Sequence, residues 1–262
     1  MQNLAELTAF FDELADTSGA VILPYFRAAL AVENKLAGGA YDPVTVADRS
    51  AEQAMRALIE ARYPAHGILG EEFGAARADA DTVWVLDPID GTRAFISGLP
   101  VWGTLIGLTE GGKPALGMMH QPFTRERFFG DCRSARYKGP DGERAIKTRA
   151  CADLSDAVLF CTTPAMFNAE DRAAYDRVEA AVRLARYGVD CYAYCMVAAG
   201  QVDLVIEGSL QPYDIVPLIP VIEGAGGVVT NWTGGPATAG GRVVASGDPR
   251  LHEKALAKLA AG

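Results

Sequence analysis

Between residues 66 and 130 the chain reads as a succession of short strands: HGILGE, TVWVL, WGTLIGL, KPALGMMH and RFFG. The turn signals TEGG and QPFT between them predict an antiparallel meander. Two long amphipathic helices precede this region. The first covers residues about 4 to 31, with Leu4, Leu7, Phe11, Leu14, Ile22, Phe26 and Leu30 at helical spacing. The second, VTVADRSAEQAMRALIEARYP, starts with a Thr and acids and stops at Pro64. After residue 140 the pattern becomes an alternation: AVLFCTT, a helix near 169 to 186, a helix near 190 to 200, VDLVIEG, a helix from Asp214, GGVVT, and a last helix from about 248. The expected organisation is an N-terminal α+β half (1–140) and a smaller C-terminal α/β half (141–262) with helices packed on its sheet. With 262 residues, half of them hydrophobic, such a chain buries a substantial core.

Charge and composition narrow the function. A formal net charge of −9 opposes attraction to nucleic acid or to anionic lipid. No apolar run approaches the roughly 18 residues of a membrane span, and MQNLAELTAFFDELAD is unlike a cationic signal peptide, so a cytoplasmic location is expected. The five cysteines are irregularly spaced and mostly set in apolar segments, which predicts reduced core thiols. Cys191 and Cys195 lie at helical spacing with no histidine near them, so packing is expected rather than metal ligation.

Several catalytic templates fail on spacing. There is no G-x-S-x-G elbow, and none of the three histidines sits beside an obvious nucleophile. GLTEGGKP has the glycine and lysine spacing of a P-loop, but Pro114 stands where Ser or Thr is required and the segment joins two strands. A hairpin turn is expected there. GAGG at 224–227 follows a helix and therefore reads as its C-terminal cap.

Three acidic sites at element ends remain: Glu71 and Glu72 after GILG, Asp87 and Asp90 after VWVL, and Asp214 opening DIVPLIPVIEGAG. Each has an ordinary reading, as a solvated loop, a polar turn and a first-turn helix acid respectively. Acids ending neighbouring strands can also converge, and hard oxygen ligands without His or Cys select Mg²⁺ or a similar cation. A helix beginning at Gly91-Thr92 would then turn free N–H groups toward a phosphate beside the cation.

GEE at 70–72, DPIDGT at 87–92 and PYDIVPLIPVIEGAGG at 212–227 resemble, in order and spacing, the three signature regions of the inositol monophosphatase-like, Mg²⁺-dependent phosphatases. Lys35 and DPVTVAD at 42–48 extend the resemblance toward the start of the chain. It implies a layered αβαβα sandwich of the α+β class, two or three Mg²⁺ per site, and a homodimer. The implied metal ligands are Glu71, Asp87, the Ile89 carbonyl, Asp90 and Asp214. Glu71, Thr92 and Asp48 are the implied catalytic residues, with Asp48 or Glu71 as the partner of Thr92 in activating a water that attacks the phosphate directly. Gly91, Thr92, Arg93, Gly188, Asp190 and Glu207 are the implied substrate contacts.

The chain departs from the inositol phosphatases at Tyr213, where many have Trp, and at Arg93-Ala-Phe, where Thr-Asn-Phe is common. DPIDGTRAFISGLPVWGTLIGL is most similar to the histidinol-phosphate phosphatase branch, which implies a step of histidine biosynthesis. Two carboxylates, Asp190 and Glu207, suit the ammonium and imidazole of histidinol better than a neutral polyol. The alternatives are an inositol monophosphate or another small phosphate monoester, and, from a different class, a catalytically silent Mg²⁺- and phosphate-binding regulator. A haloacid-dehalogenase mechanism needs an Asp-x-Asp pair, which DPID does not supply.

Overall fold

In the computed structural model, which describes residues 4–28, 32–34 and 43–261, the first amphipathic stretch forms α1 (Leu4–Ile22) with Leu7, Phe10, Phe11 and Leu14 buried on one face. It stops short of the expected end. Pro24 has no N–H for the next helical bond, and Leu23–Tyr25 tighten into a 3₁₀ turn instead. Leu30, Lys35 and Asp42 lie outside the described residues. The paired strands β1 (Val32–Asn34) and β2 (Pro43–Thr45) lead into α2 (Val46–Arg62), whose start is closed by a capping box between Thr45 and Asp48.

The chain continues through β3 (Gly67–Gly70), β4 (Gly74–Ala76), β5 (Thr82–Asp90), α3 (Thr92–Ile96), β6 (Gly103–Glu110), β7 (Lys113–Gln121), β8 (Glu126–Gly130), β9 (Ala135–Gly139) and β10 (Gly142–Ala145). These strands make one eight-stranded sheet in the order β10-β9-β8-β7-β6-β5-β3-β4. Within it only the β3–β5 pair is parallel. The meander is present, and Gly111 and Gly112, both left-handed, form the hairpin between β6 and β7. The strands β4, β9 and β10 add to it. β4 and β10 are too short and too exposed to print an apolar alternation on the sequence, and β9 carries only the brief alternation of Ala135 and Tyr137, both buried.

The second sheet gathers β11 (Val158–Cys161), β12 (Leu184–Tyr187), β13 (Leu204–Leu210), β14 (Val228–Asn231) and β15 (Gly241–Ser246) in the order β12-β11-β13-β15-β14. Between its strands lie α4 (Ala169–Glu179), α5 (Asp190–Ala198), α6 (Pro212–Ile215) and α7 (Ile219–Gly224), and α8 (Pro249–Ala260) ends the chain. Two expected helices are divided. The one foreseen over 169–186 ends at Glu179, and Leu184–Tyr187 becomes an edge strand parallel to β11. The one foreseen from Asp214 breaks into α6 and α7 around Pro217 and Pro220. GAGG caps α7 as expected, with the Gly227 N–H on the Ile222 carbonyl.

Strand alternation then builds five layers. On the first sheet Ile106, Leu108 and Met118 face α1 and α2, whereas Leu105 and Met119 face α5 and α7. On the second, Val205, Val243 and Ala245 face α5 and α7, whereas Leu204, Ile206 and Val244 face α4 and α8. The middle layer has little thickness to spare. Gly107, Gly117 and Gly130 are cross-strand neighbours on β6, β7 and β8 and leave a lane without side chains. The Pro217–Pro220 segment lies in it: a Cβ on Gly117 would sit 1.9 Å from the Pro217 carbonyl oxygen, and one on Gly130 2.2 Å from that of Pro220.

Against β14 and β15, His252 of α8 is 4% exposed and bonds through both ring nitrogens, to Ser246 Oγ at 2.7 Å and Thr230 Oγ1 at 2.8 Å. Thr230 gives its own proton to the Asn231 carbonyl, so His252 Nε2 donates to Thr230 and Nδ1 accepts from Ser246. Burial lowers its pKa to about 4. The neutral form therefore contributes stability that is complete above the unfolded value near 6.5 and is lost as pH falls through about 4. Asp48 and Glu207, raised to about 6 and about 7 by burial, act in the opposite sense, so the informative quantity is a difference between proteins. Between pH 7 and pH 4 the urea-unfolding free energy of wild type should fall relative to His252→Gln by on the order of 2 kcal/mol. Parallel curves for the two proteins would contradict this.

Candidate active site

Parallel pairing of β3 and β5 brings their C-terminal ends to one edge. Glu71, just past β3, has its N–H on the Leu86 carbonyl at 3.1 Å, and Asp87 to Asp90 finish β5. From the other sheet, α6 carries Asp214 to the same place. Carboxylate oxygens of Asp87, Asp90 and Asp214 lie within 4.8 Å of one another. Asp87 is 2% exposed, and burial followed by the charges of Glu71, Asp90 and Asp214 pushes its carboxyl well above the usual range. Burial and the Asp214 charge do the same to Asp90. Such crowding stabilises the site only when a cation neutralises it. The donors are all hard oxygens, which fits a hard divalent ion and suits no soft metal.

At Gly91 the chain turns from β5 into α3 with φ 85°, and a side chain there would press on Asp190: a Cβ on Gly91 would lie 3.0 Å from the Asp190 Cβ. Thr92 opens α3. Its hydroxyl donates to the Ile89 carbonyl at 3.0 Å, a partner different from the Asp48 or Glu71 expected from the sequence. Asp48, fully buried in the first turn of α2, receives the Thr45 N–H at 2.8 Å and the Thr45 hydroxyl at 2.5 Å on Oδ2. Its Oδ1 is buried without a hydrogen-bond partner. Asp214 also serves its own helix, accepting the Gln211 N–H at 2.7 Å, so its first-turn role and its place in the cluster coexist.

The remaining expected contacts separate into two groups. Asp190 is the first residue of α5, with φ 44°, and follows the N-cap Val189; its side chain meets Thr162 and the Arg93 charge, and burial holds its pKa at about 6 against both. Gly188, with φ 76°, lies exposed just before it. Glu207 is 2% exposed, and its oxygens are taken by the Thr162 N–H (2.8 Å), the Thr162 hydroxyl (2.5 Å) and the Tyr194 hydroxyl (3.1 Å). As placed, Glu207 fixes Thr162, and Thr162 in turn meets Asp190. This differs from the expected direct contact with a substrate.

Sequence reasoning passed over Thr162, Tyr194 and Glu52. Glu52, fully buried, receives the Glu72 N–H at 2.7 Å and the Phe73 N–H at 3.2 Å and so pins the turn after Glu71. A signal for it existed: Asp48, Glu52 and Arg56 lie one turn apart on one face of α2. The α5 N-terminus is tied to the cluster as well, by the Cys191 N–H on Asp90 Oδ2 at 2.7 Å.

Five alternating layers with acids from both sheets meeting at one edge are the framework of a phosphoric monoester hydrolase, and the comparisons with known proteins agree. The chain belongs to the inositol monophosphatase family, whose model matches residues 3–261. It is 46% identical to the chloroplastic bifunctional phosphatase IMPL2 of Arabidopsis thaliana, over 98% of this chain and 75% of that one. It is 30% identical to a histidinol-phosphatase of Chlorobaculum parvum, over 95% of each. The structure of an inositol monophosphatase from Zymomonas mobilis superposes with a TM-score of 0.88 at 40% identity, covering 99% of both chains. Among the described residues no helix is long and apolar enough to cross a membrane.

Proposed function

We propose that the protein is a Mg²⁺-dependent histidinol-phosphate phosphatase of the cytoplasm, working as a homodimer in histidine biosynthesis. The observation that carries the substrate choice is Asp190, a partly buried carboxylate held against the Gly91 turn by Thr162 and Arg93. An acid so close to the phosphate-binding turn offers a charged acceptor to an ammonium on the alcohol side of the ester. The similarity to a histidinol-phosphatase supports the same choice. Five unpaired cysteines accord with a reducing compartment.

Glu71, Asp87, the Ile89 carbonyl, Asp90 and Asp214 would hold the metal. When bound, Mg²⁺ supplies charge neutralisation on the phosphate and lowers the pKa of an attacking water. The protein supplies the rest. N–H groups of Gly91 and Thr92 orient the phosphate oxygens, and the unpartnered Asp48 Oδ1 is the acceptor for the water's proton. Thr92 fixes the Ile89 carbonyl. The Arg93 charge opposes the upward shift that burial gives the Asp190 carboxyl.

The test is a kinetic comparison of histidinol phosphate with inositol monophosphates. Histidinol phosphate should have the higher kcat/KM, and Asp190→Asn should narrow the gap by ~1–3 kcal/mol, the range for a hydrogen bond to a charged group. Equal efficiency in wild type would return the assignment to the general phosphatase. A protein that hydrolyses neither ester but turns over another small phosphate monoester would be a phosphatase of different substrate, and only one that hydrolyses no phosphate monoester would be the silent regulator.

A further inference from the structure

Asp87 and Asp90 stand three apart in β5, and in a regular strand an odd spacing sends two side chains to opposite faces. Their oxygens nevertheless converge. The cause is a bulge: Asp87 pairs with Leu105 and Asp90 with Gly103, so Pro88 and Ile89 together face the single residue Thr104 on β6. One extra residue resets the alternation and turns Asp90 to the side of Asp87. A bulge also interrupts the ladder, and its polar backbone groups need other partners. Pro88 has no N–H to satisfy. Asp87 Oδ1 accepts the Ile89 N–H at 3.0 Å, and the Ile89 carbonyl accepts the Thr92 hydroxyl at 3.0 Å. The Pro88 carbonyl receives the Thr104 hydroxyl at 2.8 Å, and the Ser18 hydroxyl of α1 donates to Thr104 at 2.9 Å. Thr104 and Ser18 are both fully buried, so water does not compete for these bonds.

We propose that Thr104 is a positioning residue for the carboxylate cluster: its buried hydroxyl, oriented by Ser18, holds the β5 bulge that points Asp87 and Asp90 at one cation. The proposal rests on the metal-dependent reading above. Its geometric content is that a directed chain of hydroxyls runs from α1 through β6 to the backbone between two ligands. Neither hydroxyl touches the cluster itself.

Thr104→Val preserves side-chain shape and removes only the donor. Mn²⁺ binding to the substrate-free protein, followed by electron paramagnetic resonance, should weaken by about 10–100-fold, the range for groups that orient metal ligands. The Mg²⁺ concentration for half-maximal turnover should rise in parallel, and Thr104→Ser should restore both. A purely structural role would lower the melting temperature in chelator and leave the affinity of the folded protein unchanged. Wild-type affinity in Thr104→Val, or failure of Thr104→Ser to restore it, overturns the proposal. If Thr104→Val does not fold, Ser18→Ala decides: weakened Mn²⁺ binding supports the proposal and unaltered binding overturns it. A wild-type protein that binds no Mn²⁺ removes the metal reading first, and this proposal with it.

Discussion

Replacing Asp87 or Asp214 by Asn should lower turnover by more than ~100-fold, the upper range seen for groups that merely orient metal ligands. Each change deletes a ligand charge while preserving side-chain shape, so the fold should survive. Stability provides an independent check. In chelator at pH 8 the wild type buries mutually repelling carboxylates, Asp87 among the charges of Glu71, Asp90 and Asp214, and removing one charge relieves that repulsion. Asp87→Asn should then melt above wild type without metal and below it in saturating Mg²⁺, because only the wild type gains binding free energy. Calorimetry in the two conditions reads both orders. An Asn variant that keeps full turnover, or a wild type indifferent to Mg²⁺ in melting, would remove the cluster from the chemistry.

The second large effect is on stability alone. Asp203, 1% exposed just before β13, accepts both Arg149 Nε at 2.7 Å and Nη2 at 2.6 Å, together with the Val158 N–H at 2.8 Å. Its backbone is engaged as well, with Val158 and Gly247. One carboxylate thus joins the segment entering the second sheet to the start of β11. Asp203→Ala leaves a guanidinium and an N–H facing a cavity, a loss of about 3 kcal/mol, at the lower end for a broken buried pair because Arg149 is 39% exposed at its side chain. Urea denaturation should show this in the midpoint, with kcat at low temperature retained. A change below about 1 kcal/mol, the usual scale of an exposed pair, would mean that solvent already shares the Arg149 charge.

The convergence of Asp87, Asp90 and Asp214 was legible because acids at strand and helix ends are conspicuous after apolar runs. The five-layer fold was implied by the resemblance, while apolar periodicity on its own supplied the two leading helices, the meander and the strand–helix alternation of the second half. What stayed hidden depends on register and on long-range partners. Leu184–Tyr187 carries no local sign that it will pair with β11, and an apolar continuation of α4 reads as more helix. Thr92 follows an acidic motif, yet its partner is a carbonyl whose orientation comes from the bulge. Glu207 was placed among the substrate contacts by the resemblance alone, and it lies within β13. Thr162, 45 positions away, takes one of its oxygens, and no pattern within a window of sequence could reveal that.

The lane of Gly107, Gly117 and Gly130 has a consequence for the evolution of the site. With backbone resting on backbone, the seat of the segment behind Asp214 is set by atoms that selection cannot trim further. A methyl group at any of the three acts as a shim, raising Pro217 or Pro220 and, through the short α6–α7 connection, the acid that completes the cluster. Mutational drift at these positions is therefore one-sided: every replacement adds thickness. The gap between the two halves of the site is gauged by three residues with nothing left to lose.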